Sequence, residues 1–212
     1  MIERFSGSRF ASKVGTFLTA CRKPNRLASG SVPPEAAEVK ILLQYLTNTG
    51  NKPVIVGATA LLRHLEMTDQ QVAKEFRPTT DIDIFIHGQV PSPPPGWSVD
   101  PEAIGVISWV SPSGGLVDLL QPEHEFPSGP FLPKAVDADP VSVESGFPVA
   151  ALPDLVRMKL NSERPKDLTD LLTIAQQGTF PSKMEIGLLN SRQQENLSFV
   201  QQWLAAKRQT HS

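Results

Sequence analysis

The amino-acid sequence predicts a mixed α/β fold of the α+β kind, in which helices flank a small mixed β-sheet and more helices follow. Short runs rich in β-branched residues, such as residues 54–56 ("VIV") and 80–87 ("TDIDIFIH"), are typical of buried strands. They alternate with longer segments whose apolar residues recur at helical spacing. With 40% hydrophobic and 20% charged residues, the chain of 212 residues has the composition of an ordinary globular protein.

The first half of the chain predicts helices and strands in alternation. Residues 33–50 predict a helix that begins at two prolines and ends at a glycine. Its apolar positions follow helical spacing and are Val39, Leu42, Leu43 and Leu46. After the strand 54–56 the chain is predicted to turn at Gly57 and to continue as a helix to about residue 66.

The second half predicts a hairpin and then mainly helices. Residues 103–122 read as two strands joined by a glycine-rich turn at 111–115. A proline-rich loop follows, with a short strand expected at 141–143. Two helices separated by a break at Arg164 and Pro165 come next, and a helical tail is expected over about 183–209.

Three segments are predicted: a basic N-terminal arm (1–33), a core (34–150) and C-terminal helices (151–212). The arm has the composition of an organellar transit peptide; it also fits a small basic patch for RNA or DNA, or a partly ordered extension. The net charge of −2 gives no overall reason to expect nucleic acid or a membrane as a partner. A single cysteine, Cys21, excludes an intramolecular disulfide and favours a cytoplasmic location.

Two carboxylates interrupt the apolar strand 80–87. Residues two apart in a strand point to the same face, roughly 7 Å apart, so Asp81 and Asp83 project together. Asp118 interrupts a second apolar strand, and if the two strands are neighbours the three acids share one face. Such a group is stabilised by Mg²⁺ or Mn²⁺, which take oxygen ligands. Each acid alone also fits a solvated or locally hydrogen-bonded position.

A turn that suits a phosphate precedes these acids. Gly57 lets the backbone approach an anion closely, and Thr59 opens a helix whose N-terminal N–H groups and dipole favour negative charge. The same sequence also fits an ordinary strand-to-helix turn. The combination of this turn with three acids favours a site for phosphoryl or nucleotidyl transfer.

Four segments in order, "VIVGATALL", "TTDIDIFI", "LVDLL" and "LPDLVRMKLNSERPKDLTDLL", resemble the nucleotidyltransferase superfamily, especially the AbiEii-type toxin nucleotidyltransferases. The resemblance covers about residues 35–175 and lies in the order and spacing of the motifs. It implies a nucleotidyltransferase-like sheet, Mg²⁺ (or Mn²⁺) and a nucleoside triphosphate as the donor.

The resemblance also implies roles for individual residues. The metal and catalytic residues would be Asp81, Asp83 and Asp118. The nucleotide-binding residues would be Gly57, Ala58, Thr59, Lys159, Lys166 and Asp167, with Asp170 completing the last motif. One departure is Ala58, since the family usually has a glycine or serine there, and the lost hydroxyl puts a phosphate contact in doubt. Lysines on helices are also commonly just solvated charges.

The implied acceptor is a hydroxyl of tRNA or another cellular target, with an antitoxin as a protein partner; small molecules and protein side chains are alternatives. A second hypothesis is a nucleotidyltransferase-like module that binds or regulates without turnover. Phosphatases of the haloacid dehalogenase type also use Asp-x-Asp, but there the apolar strand precedes the acids. Here the apolar residues follow Asp81, which disfavours that class. Glycosyltransferases with Asp-x-Asp usually need a larger chain.

Overall fold

The structure is a computed structural model that describes residues 33–103, 105–123, 133, 135–144, 146–162 and 164–209. The basic arm predicted for 1–33 lies outside these residues except for its last position. None of the helices in the described ranges combines the length and the apolar character needed to cross a bilayer.

Helices and strands alternate along the chain before a helical C-terminal part. The strands are β1 (Val54–Val56), β2 (Asp81–Phe85), β3 (Ser98–Val99), β4 (Ile107–Val110) and β5 (Leu116–Leu120). The helices are α1 (Ala36–Asn48), α2 (Gly57–Thr68), α3 (Gln70–Glu75), α4 (Pro140–Glu144), α5 (Leu152–Leu160), α6 (Pro165–Gln176), α7 (Lys183–Ile186) and α8 (Ser191–Gln209).

The five strands form one mixed sheet in the order β1-β2-β5-β4-β3. Strands β2 and β5 are parallel, and the other neighbours are antiparallel. Residues 148–150 run beside β1 and exchange backbone hydrogen bonds with Ile55. The predicted mixed α/β fold with a small mixed sheet and flanking helices is therefore confirmed.

Alternation along β2 separates the core from the acids. Ile82 and Ile84 are buried on one face of the sheet, whereas Asp81 and Asp83 lie on the other face and are only partly buried. Helix α2 packs on β1 and β2 and also touches α5 and α6. The side chains that define the site thus come from elements in mutual contact.

The short strand predicted at 141–143 is wrong, because these residues lie in helix α4. The β-branched residues there favoured a strand, but local hydrogen bonds decide otherwise. Asp139 Oδ1 accepts from the backbone N–H of Ser142 at 3.2 Å, as an N-cap does, and Pro140 suits the first helical position. The helical tail is confirmed as two helices, α7 and α8, divided after Gly187, which has φ +79°.

Helix α1 offers a paired test of the core. Leu42 is fully buried, and its neighbour Ile41 is 61% exposed. We expect Leu42→Ala to lower the free energy of unfolding by about 2–5 kcal/mol, because it leaves a cavity. The control Ile41→Ala should change it by less than about 1 kcal/mol. Equal losses in denaturant titrations would contradict this packing of α1.

Candidate functional site

The pairing of β2 with β5 brings acids from two strands together. In the parallel register Asp83 lies opposite Asp118, and Asp81, two residues earlier on β2, lies opposite Leu116. Because paired residues of neighbouring strands point to the same face, Asp81, Asp83 and Asp118 share one side of the sheet. The condition stated for the sequence, that the strands carrying these acids are neighbours, is therefore met.

Gly57 lies directly against Asp83. Strand β1 pairs with β2 so that Val56 is opposite Asp83, and helix α2 starts at the next residue. Gly57 has φ +68°, and a Cβ placed on it would lie 1.9 Å from Asp83 Oδ2. A glycine is therefore needed for two reasons: its left-handed conformation and the closeness of the carboxylate. The carboxylate also faces the positive end of the α2 dipole.

The next two residues of α2, Ala58 and Thr59, direct their side chains to different places. Ala58 is buried, so its side chain faces the interior. The hydroxyl of Thr59 makes a long hydrogen bond, 3.5 Å, to the backbone carbonyl oxygen of Asp81. The hydroxyl of Thr59 is thus directed to strand β2.

A buried serine holds Asp118 from the other side. Ser108 on β4 lies opposite Asp118 in the antiparallel register, and its hydroxyl donates a short hydrogen bond to Asp118 Oδ1. Burial raises the pKa of Asp118; the hydrogen bond from Ser108 opposes that rise, and the negative charges of Asp81 and Asp100 add to it.

Asp83 has the most perturbed acid–base behaviour of the three carboxylates. Burial and the negative charges of Asp81 and Asp118 raise the pKa of Asp83 to about 7, against the opposing influence of Lys166 and Arg164. Near neutral pH the carboxylate is thus divided between its protonated and ionised forms. A cation placed beside it would stabilise the ionised form.

A buried ion-pair network lies on helices α5 and α6. Lys159 Nζ donates to Asp167 Oδ1 at 2.8 Å and to Asp170 Oδ2 at 2.6 Å. Arg77 donates from two nitrogens to the two oxygens of Asp170, at 2.9 Å each. Arg164 Nε donates to Asp167 Oδ2 at 2.6 Å. Three cations and two carboxylates give this network one net positive charge.

Asp167 is held ionised at the centre of the network. Its burial alone would raise the pKa of this carboxyl, but the positive charges of Lys159 and Arg164 and a hydrogen bond from Ser162 hold it far below the usual range. Removing one partner from such a buried pair typically costs about 3–5 kcal/mol. Asp167 is therefore a fixed negative charge that anchors the two cations.

The acids and the network meet in one pocket. Its walls include Gly57, Asp83, Asp118, Lys159, Arg164 and Asp167. Asp81 adjoins these walls on β2, and Ala58 and Thr59 stand in the first turn of α2.

Lys166 has an exposed side chain, and its positive charge opposes the rise in the pKa of both Asp83 and Asp118. The sequence predicts that Lys159 reaches phosphates. In this structure its ammonium group instead forms ion pairs with the carboxylates of Asp167 and Asp170.

The donor atoms suit a hard divalent cation that arrives with a substrate. Within the described ranges, no three His, Cys, Asp or Glu side chains form a ready-made metal site. Mg²⁺, however, is usually held by one or two carboxylates together with water and substrate phosphates. Asp83 and Asp118, paired across β2 and β5, fit that mode of binding.

Sequence reasoning missed three contributors. Arg77 and Arg164 flank the motifs that were recognised, four residues before Asp81 and three before Asp167, but an arginine in a loop carries no pattern of its own. Ser108 becomes informative only through strand pairing, because nothing in its local sequence connects it with Asp118.

Comparison of the chain with protein-family models and with the sequences of curated proteins gives no significant match.

The contact between Gly57 and Asp83 can be tested with two glycines of equal conformation. Gly178 has φ +70°, and a Cβ there would meet nothing within 4 Å. We expect Gly178→Ala to cost about 1–2 kcal/mol of stability from the left-handed backbone alone. Gly57→Ala should cost at least about 1 kcal/mol more, because its Cβ displaces the Asp83 carboxylate.

A double mutant identifies the origin of that difference. Asp83→Ala removes the two nearest atoms and leaves the Asp83 Cβ, 3.1 Å from the added methyl group. In that background Gly57→Ala should cost about as much as Gly178→Ala, as judged by chemical denaturation. An unchanged extra cost would show that the strain at Gly57 does not come from Asp83.

The raised pKa of Asp83 predicts a pH-dependent stability. With a pKa of about 7 in the folded state and roughly 3.9 in the unfolded state, the folded chain binds this proton more tightly. The stabilisation is complete below about pH 4 and is lost as the pH rises through about 7. In EDTA, wild type should therefore lose stability relative to Asp83→Asn between pH 5 and 8. The exposed control Glu102→Gln should run parallel to wild type; a flat difference for Asp83→Asn would refute the shift.

Proposed function

We propose that this protein is a nucleotidyltransferase that moves a nucleoside monophosphate from a nucleoside triphosphate to an acceptor hydroxyl. The observation that carries the proposal is the pairing of Asp83 with Asp118 across parallel strands, with the start of helix α2 pressed against Asp83 at Gly57. Acids next to a glycine turn and a helix N-terminus are the parts that bind a metal–triphosphate complex.

The carboxylates of Asp81, Asp83 and Asp118 are proposed to hold Mg²⁺ or Mn²⁺. When bound, the cation neutralises the negative charge of the phosphates and favours the ionised form of the acceptor hydroxyl. The acids supply oxygen ligands on one face of the sheet, and their mutual repulsion gives this face an intrinsic affinity for a cation.

Opposite charges on different walls of the pocket support a bound triphosphate. Asp83 and Asp118 form the acidic wall, and Lys159 and Arg164 belong to the network with one net positive charge. Fixed charges in a partly buried pocket act more strongly than the same charges in water. The positive wall and the backbone N–H groups of α2 would orient the phosphates, with the metal on the acidic side.

The proposed reaction is an in-line displacement at the α-phosphorus. The acceptor oxygen forms a bond to this phosphorus while the bond to the bridging oxygen of the β-phosphate breaks, so that pyrophosphate leaves. The proton of the acceptor hydroxyl passes to Asp118 as general base, a role that burial favours because it raises the pKa of this carboxyl. Lys166, on the exposed side of α6, would meet the phosphates from solvent.

A second candidate is a module that binds a nucleotide without turnover. The observation that favours it is that two groups expected to bind phosphate are already bonded within the protein. Lys159 Nζ donates to Asp167 and Asp170, and the Thr59 hydroxyl donates to the Asp81 carbonyl oxygen. Ala58 also favours the binding module, because it has no side-chain hydroxyl to contact a phosphate. Both candidates require a nucleotide; they differ in pyrophosphate release.

The resemblance to AbiEii-type toxins makes tRNA the first acceptor to test and a cognate antitoxin the first protein partner. The single cysteine favours the cytoplasm as the location. These parts of the proposal rest on the sequence alone.

The first test measures thermal stability against each of the four ribonucleoside triphosphates, with and without Mg²⁺. A ligand at 100 times its dissociation constant stabilises the folded state by about 2.7 kcal/mol, which corresponds to a rise in Tm of several degrees. We expect such a rise with at least one triphosphate in the presence of Mg²⁺. Asp81→Ala/Asp83→Ala should abolish it, and Glu102→Gln should retain it.

Transfer is then measured with the α-³²P-labelled form of that triphosphate and total tRNA. Asp83→Asn and Asp118→Asn should each lower labelling by at least about 100-fold, since each removes several kcal/mol of transition-state stabilisation. Labelled tRNA with release of pyrophosphate supports the enzyme. Metal-dependent binding without pyrophosphate release, with any acceptor, supports the module. Absence of any thermal shift contradicts both.

A further inference from the structure

We propose that Ser108 is a positioning residue for Asp118: its hydroxyl fixes one carboxylate oxygen and leaves the other for the divalent cation. This inference rests on the proposed function, because it assigns Ser108 a task toward the metal. Ser108 belongs to none of the motifs that carry the resemblance, and it acts through Asp118 rather than on a substrate.

The order of the strands defines the direction from which Ser108 acts. Strand β5, which carries Asp118, lies between β2 on one side and β4 on the other. Asp83 is the register partner of Asp118 on the β2 side, and Ser108 is its partner on the β4 side. The hydrogen bond from Ser108 therefore holds Asp118 Oδ1 on the side away from Asp83.

Asp83 has a different neighbour on its outer side. Its Oδ2 lies against Gly57, which follows β1, the strand on the far side of β2 from β5. Among the described residues no three acids form a closed metal site, so a cation held here would have few protein ligands, and the orientation of each carboxylate would matter.

Burial makes Ser108 an effective restraint. Ser108 is 4% exposed, so water does not readily replace its hydroxyl as a donor. A hydrogen bond to a charged acceptor is stronger than one between neutral groups, so it can select one orientation of the carboxylate. Asp118 itself lines the pocket, while Ser108 sits behind it on β4. Groups that orient metal ligands in this way typically change metal affinity 10–100-fold.

The test measures binding of Mn²⁺ alone, from the electron paramagnetic resonance signal of the free ion, at pH 8. We expect Ser108→Ala to raise the dissociation constant for Mn²⁺ about 10-fold or more. Ser108→Thr, which keeps the hydroxyl, should stay within about 3-fold of wild type. Ser108→Cys has nearly the size of serine and a weaker donor, so it should fall between them; it replaces Ser108→Ala if that variant does not fold.

Ser111→Ala is the matched control. Ser111 is also 4% exposed and lies just beyond β4, but its hydroxyl bonds to Glu38 of helix α1 instead of an acid of the site. It reports the general effect of deleting a buried hydroxyl from this hairpin and should leave Mn²⁺ binding unchanged.

Three results separate the inference from the proposed function. Weaker Mn²⁺ binding in Ser108→Ala but not in Ser111→Ala supports the positioning role. Wild-type affinity in Ser108→Ala, or equal weakening in both variants, overturns that role and leaves the proposed function standing. No Mn²⁺ binding by wild type, with or without a triphosphate, overturns both.

Discussion

Two carboxylates on adjacent parallel strands, Asp83 opposite Asp118, impose the constraint on which the rest of the site depends. Burial raises the pKa of both carboxyls, and the charges of Asp81 and Asp118 add to the rise at Asp83. The fold accommodates them with one support on each outer side. Helix α2 begins at Gly57, where only a glycine leaves room for the Asp83 carboxylate, and Ser108 donates to Asp118. This glycine is what allows α2 to approach β2 closely.

The cations near these acids are themselves restrained. Lys159 is buried between Asp167 and Asp170, and Arg77 links Asp170 to the chain just before β2. Exposed lysines sample many conformations, whereas a lysine with two carboxylate partners has one position. Such a preorganised charge needs little reorganisation when a phosphate binds, which is how fixed charges contribute most to catalysis. The same restraint weakens the contact of Lys159 with a phosphate. If a phosphate joins Asp167 and Asp170, the charge of Lys159 is shared among three anions.

The sequence was informative wherever local periodicity decided the structure. Alternation in 80–87 placed Asp81 and Asp83 opposite the isoleucines, and β2 has that arrangement. The pairing of β2 with β5 was conditional in the sequence, since register comes from contacts between segments 35 residues apart. Residues 141–143 show the limit of propensity: β-branched side chains favoured a strand, but an N-cap at Asp139 and a proline at 140 begin a helix. Ser108, Arg77 and Arg164 take their meaning from partners distant in sequence or outside any pattern, so no local signal could identify them.

The division of charge in the pocket also bears on how turnover and mere binding would differ. A module that only holds a nucleotide gains from a positive wall, and the paired acids serve it only when a metal ion binds with the nucleotide; without metal, their repulsion destabilises the fold. The raised pKa of Asp83 is a cost that a non-catalytic fold could remove with a single Asp-to-Asn change. Ser108 donates a hydrogen bond to Asp118, and Gly57 leaves room for the carboxylate of Asp83, so that both acids fit on the same sheet face. Such a pair is the pattern of a site where stabilisation is recovered when a cation binds, and it is the physical ground for proposing a metal-dependent site.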